Sequence, residues 1–377
     1  MRGNHEVERI QTVIIGGGQA GLSVGHYLAK RGLPFIILDA NQRVGDAWRN
    51  RWDSLRLFTP ARYDGIAGMK FPGRGDAFIT KDAMADYLET YARYFALPIR
   101  SGVKVDALSK QDDRFLVSAG NSQFESEHVV VAVSNYQNPR VPPFARDLDP
   151  AIVQLHSSEY KNQSQLKDGS VLIVGAGNSG SEIAMELSRT HPTLMAGKES
   201  GHVPFRIETA VARFLLIRLV RFVGHHVLTV GTPIGRKLRP KMLPMAGPLI
   251  RVKPKDLIAA GVERVGRVTG VRDGLPLLDD GRVLDVANVV WSTGYHPGFS
   301  WIDLPVFGEN GDPMHERGIV GSEPGLYFVG LKFLYSMTSD TVTGVRRDAE
   351  RIGKHIASRA RRSVPSHAER PRAVSES

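Results

Sequence analysis

One pattern occurs twice in this chain, about 160 residues apart, and no other feature constrains the fold as strongly. In the first copy Val13-Ile14-Ile15 reads as a buried strand and Gly16-Gly17-Gly18-Gln19-Ala20-Gly21 as a glycine turn. An apolar-periodic helix follows from Leu22 to Arg31, and after Leu33-Pro34 a second strand, Phe35-Ile36-Ile37-Leu38, ends on Asp39. The second copy runs Val171-Leu172-Ile173-Val174, then Gly175-Ala176-Gly177-Asn178-Ser179-Gly180, a helix from Ser181 to Arg189 and a strand after Pro192. A G-x-G-x-x-G alone is weak, but inside a βαβ unit its glycines have separate tasks. The first permits the tight turn, the second lets backbone approach a pyrophosphate, and the third lets helix pack on strand. The helix N-terminus adds partial positive charge. Each unit cradles one pyrophosphate, so two dinucleotides and two domains are expected.

The copies differ where the ligands should differ. Asp39 can accept hydrogen bonds from an unphosphorylated ribose and would repel a 2′-phosphate, which assigns FAD to the first site. The corresponding stretch of the second copy is Gly197-Lys198, which would accept a 2′-phosphate and points to NADPH, with Arg206 as a second cation and NADH left open. In the first turn Gly16, Gly18, Gln19, Ala20 and Gly21 are the candidate contacts. In the second they are Gly175, Gly177, Asn178, Ser179 and Gly180. The polar side chains of Asn178 and Ser179 could reach the pyrophosphate or the nicotinamide ribose, although Ser179 also simply suits a first helical turn.

Composition removes whole classes of chemistry. With 377 residues, 42% hydrophobic and 23% charged, the chain matches a folded protein of about two domains. It has no cysteine, so disulfides, thiolate metal sites, Fe–S clusters and redox dithiols are excluded. No metal site is expected. Met1 to Arg9 has no apolar run and no stretch reaches membrane-spanning length, so a cytoplasmic protein is expected. The residues after Arg359 resemble a frayed tail.

Net charge is +10, and most of the excess lies in one place: residues 206–256 hold eleven Lys and Arg against Glu208 and Asp256. At helical spacing Arg206, Arg213, Arg218 and Arg221 share a limited arc of the segment Ile207 to Val223, with Phe, Leu, Ile and Val elsewhere. Such a basic amphipathic helix could lie on an anionic membrane, cover a substrate cleft, or present a solvated charged face. Aromatic residues are not interleaved with the basic ones, which argues against nucleic acid.

With these residues in hand, the chain resembles the flavin-containing monooxygenases, class B flavoprotein monooxygenases, and particularly their compact bacterial branch. The likeness runs in order through Gly16 to Gly21, Trp48 to Trp52, Trp52 to Tyr63, Ala132 to Ser134, His156 to Tyr160, Gly175 to Gly180, Ser292 to Tyr295 and Gly325 to Gly330. Departures are Val133-Ser134 in place of Thr-Gly, Pro150 and Ile152 in place of Phe and Gly, and Phe58 in place of an asparagine that sits near the flavin. The resemblance implies an α/β fold of two Rossmann-like dinucleotide-binding domains of three-layer ββα type, with the NADPH domain inserted in the FAD domain. The expected boundaries are 1–165 and 290–360 for FAD, 166–289 for NADPH with a basic helical insertion at 203–256, and a tail at 361–377. It adds Trp48, Val105, Ser134, Gly330 and Asp340 as flavin contacts, and Phe58 and Asn178 as residues at the reaction centre.

The implied reaction passes hydride from NADPH to FAD. An O2 adduct at flavin C4a then oxygenates a nitrogen, sulfur or carbonyl centre of a small molecule. Two alternatives remain: an NAD(P)H oxidase or reductase without oxygen transfer, and a non-catalytic nucleotide-sensing or membrane-attached regulator. Oligomeric state stays open, a homodimer being one option.

Overall fold

The computed structural model describes residues 7–198 and 201–362. Met1 to Glu6 and most of the tail expected at 361–377 lie outside the described residues.

Two five-stranded parallel sheets organise the chain. The first has the order Leu326–Phe328, His128–Val131, Thr12–Ile15, Phe35–Asp39, Ile99–Ser101. Its inner strands are mostly apolar because both faces are covered, while the edge strand Ile99–Ser101 leaves Arg100 and Ser101 exposed, and period-two alternation divides the side chains. Ile14 and Ile37 point into a core shared with Leu22 and Leu28 of helix Gln19–Ala29, Met84 and Leu88 of helix Lys81–Tyr94, and Ile352 and Ile356 of helix Val345–Arg362. Val13, Ile15 and Val129 point the other way, against Phe115, Val117 and Phe124 of a second, four-stranded sheet. Each such side chain contributes about 1.5–3 kcal/mol when fully buried. Helices, parallel sheet and meander are the three layers expected from the sequence.

The second parallel sheet has the order Val153–His156, Asn288–Trp291, Val171–Val174, Thr193–Ala196, Glu263–Val265. Val171 and Ile173 meet Ile183, Ala184 and Leu187 of helix Asn178–Leu187, while Leu172 meets Leu278 of the hairpin on the opposite face. All its strands fall between His128–Val131 and Leu326–Phe328 of the first sheet. Sheet membership begins earlier than residue 166 and passes 289, because Val153–His156 pairs with Asn288–Trp291. Its Val-Gln-Leu-His sequence gives too little apolar contrast to announce a strand of that sheet.

The basic insertion departs from expectation. Residues 210–227 are continuously helical, with wide turns at Ala212–Leu216 and Val223–Val227. Two of the four arginines expected on one arc, Arg213 and Arg221, face inward, against the solvated-face alternative. The Arg221 guanidinium lies 4.2 Å from the centre of the Tyr63 ring, and that of Arg213 lies 5.2 Å from Phe78. Aromatic faces in the first domain attract the guanidinium groups, and the apolar residues are left outside. Helical period defines an arc but not the side on which the fold lies.

Candidate active site

Both glycine turns stand at the carboxyl edge of their sheets, where open α/β sheets bind ligands. The structure separates the three glycine tasks. Gly16 has φ +108° and a Cβ there would stand 2.8 Å from the Ala132 carbonyl oxygen; Gly175 has φ +117° and would collide with the Ser292 backbone. A Cβ on Gly21 or Gly180 would run into the carbonyl of Gly16 or Gly175. Gly18 and Gly177 differ. Each is a helix N-cap in extended conformation, φ −77° and −81°, without a side-chain cap, and a Cβ on either meets nothing within 4 Å. Nothing in the fold requires glycine at these two positions, so the open space before each helix N-terminus fits a pyrophosphate.

Around the first cradle, Asp39 is buried at the end of its strand. It accepts from the backbone N–H of Gly17 and, at 2.7 and 2.8 Å, from the backbone and side-chain amides of Asn41. Trp48 Nε1 donates to Gln19 Oε1 at 3.4 Å. Gly330, at φ +76°, ends its strand against the buried Ala20. Val105 packs partly buried on the core behind the sheet. Phe58, on strand Arg56–Pro60, is 40% exposed, while its neighbour Leu57 is buried.

The ends of the two sheets are tied together. Asn138–Pro139 pairs antiparallel with Tyr295–His296, Arg140 N–H donates to the Gly294 carbonyl at 2.9 Å, and His156 Nε2 lies 3.1 Å from that same carbonyl. The Tyr136 ring meets Tyr295 edge-on at 5.6 Å, and its hydroxyl donates to Asp340 Oδ2 at 3.2 Å. Burial raises the Asp340 carboxyl above its ordinary range. Arg251 is a second tie: it donates to the Leu57 carbonyl at 2.8 Å and lies 3.9 Å from Glu182, whose carboxyl burial pushes up to about 7.

Ser134 takes the place of glycine in the first of these linkers and has φ +62°, as Gly294 has +83° in the second. A left-handed non-glycine residue costs about 1–2 kcal/mol, partly offset here because Ser134 Oγ accepts from Tyr136 N–H at 3.2 Å. Ser134→Gly should therefore raise the unfolding free energy from urea melts by about 0.5–1 kcal/mol after the added chain entropy. Ser134→Ala keeps the strain without the contact and should lower it.

In the second cradle the residues divide. Asn178 uses its side-chain amide within the fold: Nδ2 donates to the Pro248 carbonyl at 3.0 Å and Oδ1 accepts from Ile250 N–H at 2.9 Å. It clasps the return of the insertion, which turns that side chain away from a direct role in chemistry. Ser179 is half-buried in the first helical turn. Lys198 is exposed at the end of its strand. Arg206 is held by Asp256 at 2.5 Å, inside the insertion. A cation unmarked in the sequence, Arg264, sits beside the strand end instead: its Nη2 donates to the Gly197 carbonyl at 2.5 Å, and Gly197 lies against the glycine turn. Only the pairing of Thr193–Ala196 with Glu263–Val265 brings it there.

Two open pyrophosphate cradles on linked parallel sheets define a two-dinucleotide oxidoreductase. The family model for pyridine nucleotide-disulphide oxidoreductases matches residues 13–202. A CzcO-like oxidoreductase of Geobacillus kaustophilus is 38% identical over 344 residues, 90% of this chain and 96% of its own. Indole-3-pyruvate monooxygenase YUCCA1 of Oryza sativa is 28% identical over 91% of this chain and 90% of its own. The flavin-containing monooxygenase of Stenotrophomonas maltophilia superposes with a TM-score of 0.74 at 26% identity, covering 94% of this chain and all of its own. The chain belongs to the pyridine nucleotide-disulphide oxidoreductase family, among its flavin-dependent, monooxygenase-type members. FAD and NADPH are the cofactors of such enzymes. Among the described residues no helix is long and apolar enough to cross a membrane, and no group of three or more His, Asp or Glu could hold a metal ion.

Proposed function

We propose that the chain is an NADPH-dependent monooxygenase that oxygenates a nitrogen, sulfur or carbonyl centre of a small molecule. One combination carries the reading: two open cradles are joined by the Tyr136–Tyr295 and Arg140–Gly294 ties in a chain without cysteine. Electrons passed between the nucleotides have no thiol of this chain to reach, so the acceptor comes from outside, and the likeness to flavin monooxygenases favours O2. Bound flavin supplies hydride acceptance and oxygen activation.

The protein's own residues bind and screen. Backbone N–H groups around Gly18 and Gly177 hold the two pyrophosphates, and Asp39 selects an unphosphorylated ribose for FAD. Gln19 at the start of the first helix, Trp48 on helix Asp46–Arg49, and the loop residues Ser134, Gly330 and Asp340 border the first cradle, with Val105 supporting the sheet behind them. Phe58 offers an exposed ring in place of an amide, so its part is to exclude water. Asn178 acts as a positioning residue through its hold on 248–250. At the second cradle Lys198, assisted by Arg264, receives the 2′-phosphate. Lys198→Ala should raise KM for NADPH about tenfold and leave KM for NADH unchanged. Equal effects on both would refute the assignment.

The reading is tested by mixing flavin-loaded protein with NADPH in air, in the presence of methyl phenyl sulfide, an arylamine or a cyclic ketone, and counting products. One oxygen from 18O2 in the organic product for each NADPH consumed is expected. Stoichiometric hydrogen peroxide with every probe would make the chain an oxidase instead. A flavin that NADPH never bleaches would make it a nucleotide-binding regulator.

A further inference from the structure

The helix at 210–227 is inside out. Its inward stripe carries Arg213, Ile217, Arg221 and Gly224, whereas Phe214, Leu215, Leu219 and Phe222 are 53%, 62%, 57% and 58% exposed, and Val211 lies beside them. These positions fall at intervals of three and four residues and so form one continuous outer stripe. Soluble surfaces rarely leave such a stripe uncovered.

What covers it is indicated by charge. From 209 to 255 the sequence contains no acidic residue. Arg218 lies exposed within the apolar stripe, and the next helix, Pro233–Met242, exposes Ile234 together with Arg236, Lys237 and Lys241. Among the described residues none of these four cations has a carboxylate within ion-pair distance, although the Arg236 guanidinium bonds the Val230 carbonyl at 3.2 Å. The inward arginines are already engaged by Tyr63, Phe78 and Asp76. Hence the helix is anchored to the first domain by one set of cations and presents apolar side chains with Arg218 among them, while the helix that follows exposes three further cations that have no carboxylate partner among the described residues.

We propose that this face rests on the surface of an anionic phospholipid bilayer. Apolar side chains that reach the acyl boundary, flanked by cations at headgroup level, are the chemistry that such a surface recognises. A second copy of the chain fits less well, because two-fold pairing would bring Arg218 and its neighbours against themselves. The inference concerns attachment and is independent of the reaction proposed above.

Flavin-loaded full-length protein is co-sedimented with vesicles of phosphatidylcholine alone and with vesicles containing roughly one-third phosphatidylglycerol. Binding at least ten times stronger to the anionic vesicles is expected, with loss at about 0.5 M salt. The exposed quadruple variant Phe214→Ser/Leu215→Ser/Leu219→Ser/Phe222→Ser should lose binding tenfold or more. Arg218→Glu/Lys237→Glu/Lys241→Glu should do likewise. Both should keep wild-type flavin content and NADPH turnover in solution. Absence of binding by the wild type, equal binding to both vesicle types, or undiminished binding by the quadruple variant overturns the proposal. So does a wild-type dimer that the quadruple variant converts to monomer while neither protein pellets with lipid.

Discussion

Gly177→Val should give a yellow, folded protein that NADPH cannot reduce. The backbone at Gly177 is extended, with φ −81° and ψ −173°, so a valine there is unstrained, and a Cβ meets no protein atom within 4 Å. No side chain caps this helix, and the cost to the fold is that of a poor N-cap, below about 1 kcal/mol. The substituent instead fills the space through which backbone N–H groups would reach the cofactor's pyrophosphate. Losing two charge-assisted hydrogen bonds of about 1.5–3 kcal/mol each weakens NADPH binding roughly 100-fold to 10,000-fold. Stopped-flow bleaching of the flavin against NADPH concentration measures it, while dithionite should still reduce the flavin normally. Gly180→Ala is the informative contrast. Its Cβ collides with the Gly175 carbonyl, so that variant should lose stability first and cofactor affinity only as a consequence. If Gly177→Val is reduced by NADPH at the wild-type rate, the second cradle does not bind the cofactor.

What the chain discloses before it is folded depends on the distance over which each feature is determined. Val13-Ile14-Ile15-Gly16 and Val171-Leu172-Ile173-Val174-Gly175 are local: a two-sided apolar strand, a turn only glycine can make and a helix start are all written within about twenty residues. Both βαβ units are present where the residues indicate them. Val153–His156 was not legible as part of the second sheet because its place depends on pairing with Asn288–Trp291, some 135 residues on. A basic helix around 210–227 was legible, but the single arc of four arginines does not hold: Arg206 is held off the helix by Asp256, and Arg218 lies on the exposed side, unlike Arg213 and Arg221. The inward direction of that pair was not legible, because it is set by Tyr63 and Phe78, which reach the helix only through tertiary packing.

The candidate site shows the same division. Asp39, at the end of the strand that follows the first turn, could be located by counting. Arg264 could not, since it comes beside Gly197 only through strand order. Asn178 misled for a related reason. A polar residue in a glycine turn suggests a ligand contact, yet this amide finds the loop 248–250 first, and that loop returns from an insertion whose path no local pattern describes. Ser134 is an intermediate case. The sequence showed an exchange at a glycine position, and the structure supplies its physical content, a serine held at φ +62°.

Gly18→Val tests the first cradle and should give a colourless protein. The conformation, φ −77° and ψ −174°, again suits valine, and the space is again open. FAD binds through the same pyrophosphate geometry, so affinity should fall by a comparable roughly 100-fold to 10,000-fold, and the purified variant should retain little flavin. Stability separates a ligand effect from a folding defect. A ligand that binds only the native state stabilises it by mass action, by about 2.7 kcal/mol when present at a hundred times its Kd, and so raises Tm. The variant's Tm should therefore fall below that of the flavin-loaded wild type but match that of wild type stripped of flavin, and added FAD should not raise it. A Tm well below the stripped wild type would mean that Gly18 is needed by the fold, against the open space in front of it. Retention of one flavin per chain would mean that the first cradle is not where FAD binds, and the assignment of Asp39 to its ribose would fall with it.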